Sequence, residues 1–203
     1  MTNDFIDKLK DRRSIRKFED KPIDKNILEE IIQAGKYAPS ADNKQPWRFI
    51  VIQNNDAIQD ISKSIKKEIK KILKKRHLLK FFFPQLKKRE TIGLLYGAAM
   101  APKDVIFHNA PALILIVTKK GLFNNESCAC CAQNMMLAAD SIGIGSCWIG
   151  FANFLERNKN KTNEIGIPED YHIAAAIVFG HPIKKPKNAR PRKPMANVIK
   201  WIN

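Results

Sequence analysis

Apolar positions recur along this chain with two different periods. In IQDISKSIKKEIKKILKK, the residues Ile58, Ile61, Ile65, Ile69, Ile72 and Leu73 fall three or four positions apart, and lysines take the opposite side. That spacing predicts an amphipathic helix from about Asp56. PIDKNILEEIIQAGKYAPS predicts a second helix, with Asp24 as N-cap and Glu29 and Glu30 near its positive end. Ile23 and Leu28 form its hydrophobic staple, and Gly35 and Pro39 close it. Residues 4–12, about 90–100 and about 153–163 also read as helical. Residues 126–142 are apolar almost all round, which predicts a central helix. Three runs lack the helical period and carry β-branched or aromatic residues: WRFIVIQ (47–53), ALILIVT (112–118) and HIAAAIVFG (172–180). These predict buried strands. A Gly-marked turn, GIGS, leads into CWIG before the last of them.

Strands alternating with helices argue for an α/β or α+β sheet packed by helices. The 203 residues contain no repeat and no linker, so residues 1–203 read as one domain. After Pro182 the chain becomes Pro-rich and basic, then apolar, in KKPKNARPRKPMANVIKWIN. An arm ending in Val198, Ile199, Trp201 and Ile202 would bury those groups by packing on a second subunit, which predicts a dimer.

Charge changes this picture less than its size suggests. The net charge of +16 is concentrated in residues 63–89, which hold twelve Lys or Arg against a single Glu. Such a block attracts nucleic acid or an anionic membrane. It is also the ordinary solvated face of an amphipathic helix, and no recognition motif accompanies it. Neither nucleic acid nor membrane is therefore expected as a partner. The composition, 44% hydrophobic and 28% charged, is that of a globular rather than a disordered chain. No uncharged apolar run reaches the ~18 residues of a membrane span. MTNDFIDKLKDRRS lacks an apolar h-region, so a cytoplasmic location is expected. Cys128, Cys130, Cys131 and Cys147 match neither a disulfide framework nor zinc-ligand spacing, and read as reduced thiols without a metal.

Four clusters carry candidate chemistry. DRRSIRKF places Arg12, Arg13, Ser14 and Arg16 at a helix end. Guanidinium groups pair bidentately with phosphate and a hydroxyl adds a short hydrogen bond, although the segment alone also suits a plain basic turn. In APSADNKQPWRF, Pro39 and Pro46 stiffen a segment holding Ser40, Ala41, Asp42, Asn43 and Gln45. Loops of this kind line ligand sites when a rigid element holds them, and otherwise merely connect helix to strand. GIGSCWIG carries Gly143, Gly145 and Gly150, which permit close backbone approach. Its spacing is not GxGxxG and it follows a helix, so a Rossmann reading fails. ARPRK holds Arg190, Arg192 and Lys193 extended between prolines. No Ser–His–Asp, HExxH or P-loop pattern appears, and His77, His108, His172 and His181 are scattered surface or packing residues.

These clusters in this order, joined by QNMMLAADSIGIGSCWIG and GHP…RPRKP, resemble the nitroreductase family of FMN enzymes over nearly the whole chain. The likeness is weakest in residues 55–105, a variable helical or lid region. The resemblance implies an α+β fold: a mostly antiparallel sheet of four to five strands flanked by helices. It also implies an intertwined homodimer with two FMN sites at its interface and an extended C-terminal arm over 184–203. Arg12, Ser14 and Arg16, with Arg192 and Arg190, would hold the FMN phosphate and the pyrimidine edge of the flavin, and Arg13 would contribute through backbone or side chain. Pro39, Ser40, Ala41 and Asn43 would reach the flavin from the other subunit. Ile149 and Gly150 would lie against the ring, with the Gly150 N–H near N5. The flavin carries the chemistry, so no catalytic side chain is implied. Phe81, Phe82 and Phe83 read either as a stacking lid over the substrate or as packing in an inserted helical hairpin. The implied activity is ping-pong hydride transfer from NAD(P)H through FMN to a small-molecule acceptor such as a nitroaromatic or quinone. A specialised reductase, a dehalogenase or a flavin-consuming enzyme are alternatives within the family. From another class, a basic nucleic-acid-binding protein would use Lys66, Lys67, Lys70 and Lys71.

Overall fold

The computed structural model describes residues 4–186, 192 and 199–202. The chain opens with α1 (Asp4–Asp11) and α2 (Lys25–Lys36), then enters β1 (Arg48–Ile52). The lysine-rich α3 (Asn55–Lys74) is followed by the short α4 (Arg76–Leu79), a 3-10 turn over Pro84–Lys87, and α5 (Arg89–Met100). Next come β2 (Ala112–Lys119), α6 (Asn124–Ser141) and β3 (Gly145–Trp148). A 3-10 helix over Gly150–Arg157, α7 (Lys159–Glu164) and β4 (Tyr171–Gly180) complete the described elements. The strands form one four-stranded sheet, ordered β1-β2-β4-β3, with every neighbouring pair antiparallel.

The sheet divides the core into two layers because its strands alternate. Leu113, Leu115 and Val117 of β2 share one face with Ile173, Ala176 and Val178 of β4, covered by α3, α5 and the 3-10 helix. Ala112, Ile114 and Ile116 share the other face with Ala175, Ile177 and Phe179, covered by α2 and α6. A bulge between Ile116 and Val117 shifts the register from Ala175 to Ile173. All six apolar residues expected on the inner stripe of α3 are buried. Each such side chain contributes about 1.5–3 kcal/mol relative to exposure, so this face holds the helix regardless of its charge.

Several expectations change in detail. The GSCW segment is a strand, β3, rather than a turn leading into CWIG, because Gly145 to Trp148 pair in register with Gly180 to Ile177. The helix expected over 153–163 is two helices broken at Asn158, whose side chain accepts from Lys161 N and caps α7. Asp24 occupies the N-cap position of α2 but its side chain makes no capping bond, and α2 has no acidic residue in its first turn. Gly35 lies inside α2 instead of closing it. A Cβ there would come within 2.5 Å of Met135 Cγ, so its role is the close approach of α2 to α6. Finally, α6 is buried on one side only, through Cys128, Cys131, Ala132, Met135, Met136 and Ala139. Ala129, Cys130 and Gln133 face outward. Among the described residues, no helix is long and apolar enough to cross a membrane.

Candidate functional site: an arginine-lined sheet edge

The free edge of β3 is covered by the segment that follows α1. Ile15 N donates to Ser146 O at 2.9 Å, and Ser14 bridges Ser146 in parallel. This approach needs Gly145, where a Cβ would sit 2.9 Å from both Cβ and Cγ1 of Ile15. Two further bonds, Glu19 N to His181 O (2.9 Å) and Ile183 N to Lys17 O (3.2 Å), hold the segment beyond the sheet. Arg12, Ser14 and Arg16 are thereby fixed on the strand edge rather than left in a loose turn.

The polar groups on this edge are under-used. Arg12 is half-buried, and its Nη1 is shielded from solvent with no partner among the described residues. Ser146 Oγ, on β3 where Ser14 bridges that strand, is likewise unpartnered among the described residues. A buried donor left unmade costs about 1–3 kcal/mol, so these groups are available to an anionic or polar ligand. Arg13 divides its donors: Nη1 donates to Lys10 O (2.5 Å) and Arg12 O (3.2 Å) at the end of α1, while its Nε, like Arg12 Nη1, is buried with no partner among the described residues.

Two groups that sequence reasoning passed over complete the local electrostatics. Burial pushes the Cys147 thiol up, while Arg16, Arg12 and a hydrogen bond with Ser14 pull it back, so all three predicted residues converge on this thiol. His108 is pushed below its ordinary value by burial and by Arg16, with Asp104 opposing. Its left-handed backbone (φ 60°) is held by Asp104, whose Oδ1 accepts from Ser62 Oγ (2.6 Å), Ile106 N (3.1 Å) and Phe107 N (3.2 Å). Cys147 lies inside the GIGSCWIG cluster and was findable there. His108 carries no local signal, because only the fold brings its loop to Arg16.

Gly150 lies just past the end of β3. Ile149 is buried and donates to Ala176 O at 2.8 Å. Gly150 is exposed and opens the 3-10 helix, so its N–H has no intrahelical acceptor. A Cβ there would meet nothing within 4 Å, which leaves open space for a planar group to approach the backbone.

The Pro39–Asn43 cluster is preorganised but stands elsewhere. Asp42, Asn43 and Gln45 all adopt positive φ (51°, 52° and 46°), an uncommon backbone for residues with side chains. Ser40 Oγ accepts from Gln45 N (3.1 Å), and Gln45 Nε2 donates to Asn43 Oδ1 (3.1 Å). Ala41 N donates to Ser127 Oγ on α6 (3.4 Å). The loop feeds β1, on the opposite edge of the sheet from β3. Three interstrand spacings separate those edges by about 14 Å. One chain therefore brings together Arg12, Ser14 and Arg16 on the β3 edge, with Ile149 and Gly150 at the end of that strand, but not Pro39, Ser40, Ala41 and Asn43.

Arg192 is described and exposed; Arg190 lies outside the described residues. Phe81 and Phe82 are 71% and 73% exposed, whereas Phe83 turns partly inward toward Ile72, Leu86 and Leu95. In the lysine-rich stretch, Lys66 donates to Ala101 O (3.0 Å) and Lys103 O (2.8 Å), and Lys71 pairs with Glu68 at 2.6 Å. Two of the four lysines considered for nucleic acid are thus engaged within the chain.

A helix-covered antiparallel sheet with an arginine-lined edge and an open glycine at its end defines an α+β protein. The chain belongs to the Nitroreductase family, whose model matches residues 9–181. It is 27% identical over 188 residues to a "Putative NADH dehydrogenase/NAD(P)H nitroreductase" of Methanothermobacter thermautotrophicus, covering 90% of this chain and 80% of that one. It is 29% identical over 203 residues to a nitrobenzene nitroreductase of Ectopseudomonas oleovorans, covering 88% and 87% of the two chains. The structure matches a nitroreductase with bound FMN from Bacteroides fragilis over 100% of both chains, with a TM-score of 0.78 at 24% identity.

Proposed function

We propose that this protein is an FMN-dependent NAD(P)H oxidoreductase that reduces nitroaromatics, quinones or similar electron-poor acceptors. The observation that carries the reading is the buried, unpartnered Arg12 Nη1 on the same strand edge as Ser14 and Arg16. Family membership and the activity named for the relative from Ectopseudomonas oleovorans support the reaction class. The residues fit FMN: a phosphate needs a cation and hydroxyl donors, which Arg12 and Ser14 supply, and an isoalloxazine needs an uncluttered backbone, which Gly150 supplies. When bound, FMN supplies hydride transfer between the nicotinamide donor and the acceptor.

The chain's own groups have separate tasks in this reading. Arg12 and Ser14, joined by Arg192 and Arg190, bind the phosphate. Arg16 supplies a fixed positive charge for the pyrimidine edge, next to a His108 that burial keeps neutral near pH 7. The Gly150 N–H serves as a donor toward N5, with Ile149 behind it. Arg13 acts indirectly, by finishing α1 so that Arg12 is presented. Pro39, Ser40, Ala41 and Asn43 act from a second copy, because their own edge of the sheet lies apart from β3.

That last assignment makes the working unit a homodimer. Phe5, Ile6 and Leu9 of α1 are exposed, α6 leaves Ala129 and Cys130 exposed, and Trp201 is 77% exposed on the C-terminal arm. Monomeric proteins rarely leave so much apolar surface uncovered. In the same dimer, Phe81 and Phe82 close over the acceptor as a lid. The test is reconstitution. The protein should take up one FMN per chain, sediment as a dimer, and give parallel double-reciprocal lines with NADPH and nitrobenzene. Failure to bind FMN overturns the reading.

A further inference from the structure

A cavity of about 230 Å³ lies between α3, α5, the segment joining them and the 3-10 helix over Gly150–Arg157, and none of the arginine-edge residues contributes to it. Its floor is rigid: Ile72 and Leu95 are buried, from helices packed on the sheet. Leu86, Phe83 and Phe154 complete an apolar wall. At this size the cavity accepts a single or fused pair of rings, smaller than the drug-sized ligands of ordinary pockets.

The polar groups around it converge without partners. The side chains of Gln85, Thr91 and Arg157 line the cavity, and none of the three donates or accepts a side-chain hydrogen bond among the described residues. The backbone beside Arg157 is anchored, because Asn158 donates to Ser64 Oγ on α3 (2.9 Å) and caps α7. Glu90, next to Thr91, is exposed on α5, and three other carboxylates are committed elsewhere. Glu156 Oε1 accepts from Ile173 N (2.5 Å), and both Glu164 and Asp60 pair with Lys161. The surrounding segment adds Lys74, Lys75, Arg76, Lys80, Lys87 and Lys88, with no acidic residue between Lys71 and Arg89. An apolar slot closed by one uncompensated guanidinium selects for shape and for charge together.

We infer that this cavity is a binding site for a small aromatic monoanion, its ring between Leu86, Leu95 and Phe154 and its carboxylate on Arg157. The site is separate from the arginine edge and does not depend on the flavin reading. Calorimetric titration of the full chain as purified with 2-naphthoate tests it, with the neutral 2-naphthylmethanol as control. Arg157→Gln, at an exposed position, should weaken 2-naphthoate about tenfold or more and leave 2-naphthylmethanol within about twofold. Leu86→Trp, which fills the slot, should abolish both, while any bound flavin keeps its visible spectrum. The proposal is overturned by the absence of saturable binding. It is equally overturned if naphthoate binds with unchanged affinity in both variants, or binds only with a shift of the flavin spectrum, which would place the ring on the flavin.

Discussion

The molecule has two strongly basic regions, and they differ in what their charges are doing. The 63–89 stretch holds twelve cations, yet its exposed lysines spread along the solvent side of α3, and Lys66 and Lys71 are already bonded within the chain. The 12–16 segment holds only three arginines. There Arg12 keeps a buried donor unused, Arg16 depresses His108, and both act on the Cys147 thiol. Solvated charge is screened within about 8–10 Å and costs nothing to leave unpaired. A buried, unpaired donor is costly unless something satisfies it. The smaller cluster is therefore the one proposed as the site, and the larger one is mainly the outer face of a helix whose inner face packs the core.

Breaking the β3 edge should have the largest effect. Gly145→Ala forces a Cβ onto Ile15, between Ser14 and Arg16, and overpacking of this kind costs about 1–3 kcal/mol. The variant should show a lower Tm and at least tenfold weaker FMN binding; wild-type FMN affinity would show that the 12–16 segment does not depend on its seat against β3.

A smaller effect should follow from His108. Its folded pKa lies below that of the unfolded chain, so the unfolded state binds a proton first as pH falls. The stability it contributes is complete above about pH 6.5 and is lost as pH drops from there through its folded value. His108→Asn, which tolerates the left-handed backbone, should flatten the fall in Tm between pH 7 and 5. A slope identical to wild type would remove His108 from the account.

Smallest should be the effect of neutralising the other region. Lys67→Gln with Lys70→Gln, both exposed, should move stability by less than about 0.5 kcal/mol and leave FMN affinity unchanged. A tenfold loss of FMN would mean that the long-range field of α3, and not the local geometry of the β3 edge, captures the anion.

The contrast also shows what was legible beforehand. Periodicity located α3 and its buried isoleucines, and β-branched runs located β1, β2 and β4, because each pattern reflects which face meets the core. It missed β3, a four-residue strand whose glycine and cysteine carry little strand signal, and with it the partner of the Arg12–Arg16 segment. Motif reasoning found Arg12, Ser14 and Arg16, but could not separate them from Arg13, which turns back onto α1. That distinction, like the placing of His108 beside Arg16, depends on contacts between segments far apart in sequence. The separation of the Pro39–Asn43 loop from Gly150 was implied by the resemblance alone, and the strand order gives its physical basis within one chain.

The central claim is that Arg12 holds the phosphate of FMN. Equilibrium titration of the apoprotein with FMN and with riboflavin, in wild type and Arg12→Met, tests it most directly. Wild type should prefer FMN, and Arg12→Met should cut that preference by about tenfold or more while riboflavin affinity stays within about twofold. An undiminished preference for FMN in Arg12→Met would contradict the account and place the phosphate elsewhere.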